Sequence, residues 1–268
     1  MQIAPRTFNQ VLTHGMNMLV RVWKILLVPA VGAAIPMGAV TLIALRITAA
    51  DETLALIFRE PEFVAALPTE ELVDLVVPLM WFFLITVVVQ LIASAFINLA
   101  THRIVGAELA ASPISGGAAS RFAFTRMVPL LLAGVLAAIG VTIGLFLLVI
   151  PGIWLAVMLA MTPQVMALED RGVLGSLRRS FNLVQGRWWP TIGYLLVVGL
   201  LGTTAAQLVQ FVAIPLLAIG SVSVSTALGF VFGMLMQGFL ISAIAVLASF
   251  WYVDLRSRKE PLLSESLG

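Results

Sequence analysis

Residues 127–168 read MVPLLLAGVLAAIGVTIGLFLLVIPGIWLAVMLAMTPQVMAL, a stretch of 42 residues without one charged side chain. A helix needs about 20 apolar residues to cross the hydrocarbon core of a bilayer, so this stretch is too long for a single span. Pro151 and Gly152, a pair typical of turns, stand near its midpoint. We therefore predict two membrane-spanning helices joined by a very short hairpin.

Three further uncharged stretches extend this pattern along the chain. They cover residues 25–45, 75–101 and 188–253, and the last, at 66 residues, requires a break, which we place at 215–221. Helices are expected because every backbone polar group must find its partner within the lipid-embedded segment. The prediction is an all-α polytopic membrane protein, a single integral membrane domain over 1–268 with three helical hairpins. The six predicted spans are 25–45, 76–100, 128–149, 152–168, 190–214 and 225–252.

The composition excludes other classes of protein. Hydrophobic residues make up 61% of the 268 residues and charged residues only 10%, whereas soluble domains have about 45–50% and about 25%. The chain has no cysteine, which excludes disulfides, thiolate nucleophiles and cysteine-ligated metals. No feature points to nucleic acid.

The basic residues predict the orientation of the spans. Thirteen of the 15 Lys and Arg residues lie in the two terminal segments and in the connections after the second and fourth spans. Six spans place these four segments on one side, which the positive-inside rule assigns to the cytoplasm. The connection 46–74 holds seven acidic residues and only two arginines. We therefore predict an outer acidic loop at 46–74, a tail at 254–268, and both termini in the cytoplasm.

Short amphipathic segments precede the spans. Apolar residues recur at helical spacing in 5–20 and in 173–184, with polar side chains on the opposite face, and 121–129 is a weaker third copy. Such helices lie in the membrane interface. We predict that a cytoplasmic interfacial helix precedes each hairpin.

Few residues in the predicted spans have the chemistry for a reaction. The spans contain no ionisable residue, which argues against a proton-coupled transporter. The glutamines Gln207, Gln210 and Gln237 form either a polar cavity or ordinary interhelical hydrogen bonds, and hydrogen bonding is favoured. His14 and His102 lack further ligands at metal-binding spacing. We therefore predict no metal, cofactor or catalytic residue, and we interpret His102 as a polar interfacial anchor.

Glycines at helical spacing predict close helix packing. They occur in the sequences GVTIG at 140–144 and GFVFG at 229–233. Small residues four apart allow two helices to approach each other closely. We favour packing within the chain over dimerisation.

Three motifs resemble a known family. They are Pro151-Gly152-Ile153-Trp154, then Leu168-Glu169-Asp170 with LRRSFNLVQGRWW at 177–189, and finally YVDLRSRKE at 252–260. Their order and spacing are similar to the membrane domain attached to some bacterial glycerophosphoryl diester phosphodiesterases, which also occurs as stand-alone six-span proteins. The hydrolase domain of the fused members is absent here. The resemblance therefore implies a fold and a location in the bacterial cytoplasmic (inner) membrane, but no reaction.

Basic and aromatic residues in these motifs are candidates for contact with lipids or protein partners. Lys and Arg are attracted to the anionic inner leaflet, and Trp favours the depth of the headgroups. Asp254 and Glu260 either pair with Arg178, Arg179 or Arg187, which would tie down the tail, or are solvated. The candidate contact residues are Arg178, Arg179, Arg187, Trp188, Trp189, Arg256 and Arg258.

Three hypotheses of function follow. The first is a non-enzymatic scaffold or accessory protein that binds anionic inner-leaflet lipids and an unidentified protein partner. The second is a permeation pathway for a lipid or small amphiphile, lined or bent by the glutamines and the prolines of the spans. The third is an enzyme acting on phospholipid headgroups through Glu169, Asp170 and Asp254, and it rests on family analogy alone.

Overall fold

The computed structural model describes residues 2–3, 6–50, 68–216, 222–260 and 262–263. Eight α-helices lie within these ranges, and a two-residue antiparallel pairing joins β1 (Gln2–Ile3) to β2 (Leu262–Leu263). The helices are α1 (Phe8–Ala50), α2 (Thr69–Leu109), α3 (Gly116–Leu147), α4 (Val149–Leu159), α5 (Thr162–Leu168), α6 (Val173–Val184), α7 (Trp188–Leu216) and α8 (Val222–Lys259).

The described helices confirm the predicted fold class. Six helical stretches are long and apolar enough to cross a membrane, which is the architecture of an all-α polytopic membrane protein. The fourth stretch combines α4 and α5, with a break at Ala160 and Met161. The six stretches are Phe8–Val40, Val76–Leu109, Gly116–Leu147, Val149–Leu168, Trp188–Val209 and Val231–Lys259.

The segments predicted as interfacial helices are separate elements in only one case. From Phe8 onward, segment 5–20 runs into the first span as part of α1, because residues 16–28 contain neither glycine nor proline to interrupt the backbone hydrogen bonds. Segment 121–129 likewise lies inside α3. Only 173–184 forms its own helix, α6, which is followed by Gly186 at φ 82°, a left-handed conformation that glycine adopts readily.

Helices extend into two predicted connections, 46–74 and 215–221, and into the predicted tail. Helix α1 extends to Ala50 and α2 begins at Thr69, so helices occupy both ends of the predicted 46–74 loop. Its remaining part, 51–67, and residues 217–221 of the predicted break at 215–221 lie outside the described residues. The predicted tail also begins as helix, since α8 continues to Lys259.

The hairpin between α3 and α4 turns at Leu148, which is extended at φ −161° and ψ 139°. Pro151 lies in the first turn of α4, where its missing N–H costs no hydrogen bond. A Cβ atom on Gly144 would lie 2.9 Å from the Cα atom of Gly152. The close approach confirms that the glycines of 140–144 serve packing within the chain.

Helix α1 packs along α8 over most of its length. A Cβ atom on Gly15 would lie 2.7 Å from the side chain of Leu247, and one on Gly238 would lie 3.1 Å from Ala30 Cβ. The ring of Phe8 meets Trp251 edge-on at 6.3 Å between centroids. The first and last helices of the chain are therefore neighbours in the bundle.

The packed core lies toward the end of the bundle where the predicted basic segments meet. Large side chains from five of the helices are fully buried there: Leu26, Ile104, Met166, Leu183 and Tyr252. The remaining parts of the spans expose apolar side chains, including Phe83, Phe146, Ile150 and Phe211. An apolar exterior of this kind is suited to hydrocarbon rather than water.

Candidate functional site

Ion pairs bring the four basic segments together at one end of the bundle, which we call the basic end. Each pair joins elements that are distant in sequence. Arg21 of α1 pairs with Glu108 of α2 at 3.5 Å. Arg126 of α3 pairs with Asp170, and Arg179 of α6 pairs with Glu260 beyond α8 at 2.5 Å. The structure thus places the predicted segments on one face, as six spans require.

Glu169 is the centre of this network. Its side chain is only 6% exposed, and its carboxylate accepts hydrogen bonds from Tyr252 Oη at 2.7 Å and from Arg171 Nε at 2.7 Å. Arg179 Nε also donates to it, at 2.9 and 3.0 Å from the two oxygens. Glu169 therefore connects the end of α5 to α6 and α8.

Hydrogen bonds control the protonation of Glu169. Burial alone raises the pKa of its carboxyl group, but hydrogen bonds from Tyr252, Arg179 and Arg171 outweigh burial and leave the pKa below its ordinary value. Burial lowers the pKa of Arg179, yet its bonds to Glu169 and Glu260 more than compensate and raise it. Both groups are charged at neutral pH.

Asp254 forms a second buried pair. Its side chain is 1% exposed and accepts from Arg258 Nε at 2.7 Å, one helical turn away on α8. It also accepts from the backbone N–H of Arg6 at 2.7 Å. Of the two alternatives left open, pairing holds for Glu260, which meets Arg179. Asp254 fits neither alternative, because α8 continues into the tail and supplies Arg258 as a nearer partner.

A cavity of about 720 Å³ opens beside Glu169 at the basic end. We call it the arginine cavity, because four arginines line it. Two acidic residues and several apolar and hydroxyl groups complete the lining. The charged residues are Arg103, Arg126, Arg171, Arg256, Glu169 and Asp170. The two carboxylates are already paired, so the lining keeps an excess of positive charge.

Arg103 is the distinctive residue of this cavity. Its guanidinium lies over the ring of Phe122, 5.2 Å from the centroid. Among the residues that the structure describes, no carboxylate pairs with it and no acceptor takes its N–H groups. Phe122 also lines a second cavity of about 680 Å³ at the start of α3, together with Arg121. Arg103 therefore presents an uncompensated cation to the arginine cavity.

The predicted contact residues fall into two groups. Arg178 is exposed, Arg187 is half-buried, and Trp189 is 78% exposed, so these three are accessible from outside. Trp188 is half-buried, meets Trp189 edge-on at 4.7 Å, and donates its Nε1–H to Trp154 O at 3.3 Å.

The other three predicted arginines belong to the internal network. Arg179 pairs with Glu169, and Arg258 pairs with Asp254. Arg256 lies 3.8 Å from Glu169 and 3.4 Å from Glu260. Their cationic groups are held inside the protein, and of the three only Arg256 lines the arginine cavity.

The two alternatives for the glutamines, a polar cavity and the favoured interhelical hydrogen bonds, both stay predictions. Gln207 and Gln237 are exposed on the surfaces of α7 and α8, and the side chain of Gln210 lies outside the described residues.

The interpretation of His102 as an interfacial anchor is wrong. Helix α2 continues to Leu109, nine residues past the predicted end of its span, and this extension buries His102 completely against α8. Its Nδ1 atom lies 2.7 Å from Ser249 Oγ. The histidine is a polar contact inside the bundle.

Sequence reasoning missed Arg103 and Tyr252 as site residues. The signal for Tyr252 was its place two residues before Asp254 in the C-terminal motif. Arg103 gave no comparable signal, since its role depends on Phe122 of a different helix.

The comparisons with known proteins give a family but no activity. Neither the curated proteins nor the solved structures include a match to this chain. Nothing found links the chain to the membrane domain of glycerophosphoryl diester phosphodiesterases, so that resemblance stays a prediction. Residues 4–255 match one family, and the chain belongs to it: the domain of unknown function DUF7847.

Proposed function

We propose that this integral membrane protein is a non-enzymatic scaffold or accessory protein that binds anionic lipids and protein partners at its basic end. We place it in the bacterial cytoplasmic membrane with both termini in the cytoplasm. The observation that carries the proposal is the basic end itself, where internal ion pairs fix the framework and further cations remain accessible beside the apolar spans.

The accessible cations lie where lipid headgroups would meet the protein. Lys24, Arg121 and Arg178 are exposed. Lys24 and Arg121 shortly precede the predicted spans 25–45 and 128–149, and Arg178 lies in α6, between two spans. Trp189, exposed at the start of α7, has the amphipathic ring that favours headgroup depth. Each basic residue adds about 1 kcal/mol of attraction to an anionic leaflet.

The state of the acidic residues supports a non-enzymatic role. A general acid or base works best with a pKa near the operating pH, whereas hydrogen bonds lower the pKa of Glu169. Asp254 is fixed by Arg258 and the backbone of Arg6. Asp170 is 68% exposed and pairs with Arg126. The hypothesis of a headgroup enzyme gains no support from these positions.

Transport of a small amphiphile is the second candidate, and one observation favours it. Four buried polar atoms within the described helices lack a hydrogen-bond partner, namely Thr101 Oγ1, His102 Nε2, Ser120 Oγ and Gln164 Oε1. Such atoms are commonly satisfied by water. Flux of an amphiphile through proteoliposomes, absent from protein-free vesicles, would favour this candidate over the scaffold.

Lipid retention tests the proposal. The full chain is extracted from membranes into detergent and washed to remove loosely bound lipid. The lipids that stay with the protein are then compared with those of the bulk membrane. We expect enrichment of anionic lipids, reduced in the double variant Arg121→Gln/Arg178→Gln. Retained lipid that matches the bulk composition, in wild type and variant alike, would refute the proposal.

A further inference from the structure

We infer that the arginine cavity binds one phosphoryl group, that of an anionic lipid headgroup, with Arg103 as its principal contact. This inference rests on the proposed function and deepens it. It replaces general attraction to an anionic surface with a defined site for one headgroup.

The charge of the cavity points to an anion. The cavity has two carboxylates. Asp170 is neutralised by Arg126, and Glu169 is neutralised by Arg171 and by Arg179, which does not line the cavity. Of the four lining arginines, three have carboxylate partners, and among the described residues Arg103 has none. A buried or half-buried cation without a partner is costly, so the cavity gains stability when an anion enters.

The geometry of Arg103 points to a phosphoryl group. The guanidinium carbon of Arg103 lies over the ring of Phe122, 5.2 Å from its centroid, a contact that does not use the N–H groups. These N–H donors form a rigid fork that matches two oxygens of a phosphate. Arg171 and Arg126 also line the cavity and add positive charge, while their carboxylate partners hold them in place.

The position and size of the cavity point to a lipid as the source of that group. Arg103 lies six residues before the end of the membrane-spanning stretch Val76–Leu109, and Arg126 lies in the stretch Gly116–Leu147. The cavity therefore sits where two spans reach the basic end, at the level of headgroups. A volume of about 720 Å³ is within the range of small-molecule sites. It accommodates a phosphodiester with its polar substituent while the acyl chains stay outside, along the exposed apolar helices.

The experiment uses the full chain in nanodiscs that contain phosphatidylcholine and phosphatidylglycerol. Native mass spectrometry after release counts the phosphatidylglycerol molecules that remain bound. We expect one tightly retained molecule in the wild type and a loss of about tenfold in its affinity for Arg103→Gln, as for a charged hydrogen bond of about 1.4 kcal/mol or more. Arg103→Lys keeps the charge without the planar fork, and we expect an intermediate loss.

Arg21→Gln is the matched control, because the side chain of Arg21 is 73% exposed in its pair with Glu108 and lines neither of the two cavities. It should keep the retained molecule. Equal losses in Arg103→Gln and Arg21→Gln would overturn the site and leave the proposed function standing as surface attraction. Should Arg103→Gln fail to fold, Arg103→Lys decides, and unchanged retention in that variant would overturn the role of the fork.

Inorganic phosphate separates the two sources of the anion. We expect millimolar phosphate neither to displace phosphatidylglycerol nor to raise the melting temperature of the protein in phosphatidylcholine nanodiscs. A phosphate-induced rise that Arg103→Gln abolishes, without any preference for phosphatidylglycerol, would overturn the lipid assignment. It would at the same time contradict the lipid-binding part of the proposed function. If phosphatidylglycerol is not preferentially retained and phosphate also causes no rise in melting temperature, the site itself is overturned.

Discussion

Replacing Glu169 by glutamine tests the central carboxylate of the basic end. The substitution keeps the size of the side chain and removes its negative charge. Tyr252 and Arg171 then lose an ionised acceptor, and Arg179 keeps only Glu260 as a charged partner. Because the side chains of Glu169 and Arg179 are 6% and 15% exposed, water cannot replace the lost interactions.

The expected loss of stability follows from this burial. Removing one partner of a buried ion pair costs about 3–5 kcal/mol, and the neutral amide recovers part of it by accepting one hydrogen bond worth about 1 kcal/mol. We expect a destabilisation of about 2–4 kcal/mol. For a chain of this size, that lowers the melting temperature by about 4–16 °C. Thermal unfolding of the purified protein in detergent, followed by tryptophan fluorescence, measures the shift.

Asp170→Asn is the matched control, one residue away. Asp170 is 68% exposed in its pair with Arg126, so its charge contributes about 0–1 kcal/mol. Its backbone has φ 50°, a left-handed conformation that asparagine also tolerates. Melting temperatures for the variants at Glu169 and Asp170 that agree within about 2 °C, half the smallest expected shift, would refute the assignment of Glu169 as the central residue of the network.

Three further predictions concern pH, helix packing and orientation. The stability difference between wild type and Glu169→Gln is complete at neutral pH and shrinks as the pH falls below about 4.5 through the lowered pKa of Glu169. Melting curves of both proteins, recorded at stepwise lower pH, measure this difference. A difference that does not change with pH contradicts the lowered pKa. Gly152→Ala places a Cβ atom 2.4 Å from the side chain of Leu145 and lowers stability by about 1–3 kcal/mol. A Cβ atom at Gly199 would meet nothing within 4 Å, so Gly199→Ala leaves the melting temperature unchanged. Equal effects of the two variants on the melting temperature refute the close packing. Because the sequence has no cysteine, Glu60→Cys and Ser264→Cys each provide a single labelling site. A membrane-impermeant maleimide should label residue 60 in intact cells and residue 264 only after lysis. Labelling of both residues in intact cells contradicts the proposed orientation.

The membrane architecture could be predicted because hydrocarbon constrains every residue of a span. Residues 127–168 predict two helices from the absence of charge alone, and the six described stretches agree. The exact turn could not be read in this way. Pro151 and Gly152 are typical of a turn, yet proline is equally suited to the first turn of a helix, and the chain reverses at Leu148.

The basic end was predictable in its charge and less so in its contacts. Counting arginines predicts which segments share a side, but which arginine meets which carboxylate depends on how far each helix extends. Asp254 pairs with Arg258 because α8 continues past the predicted end of its span, and His102 is buried because α2 does the same. The arginine cavity combines residues of α2, α3 and α8 with the segment after α5, a combination that no local pattern reveals.

The pairing of α1 with α8 has a consequence for biogenesis. The ribosome synthesises the residues of α8 that contact α1, namely Trp251, Leu247 and Gly238, only after the helices between α1 and α8. Until then, α1 lies in the bilayer without these contacts while the four intervening spans are inserted. The packing of α1 against α8 is therefore completed after those spans, and a chain truncated before residue 238 would leave this face of α1 uncovered.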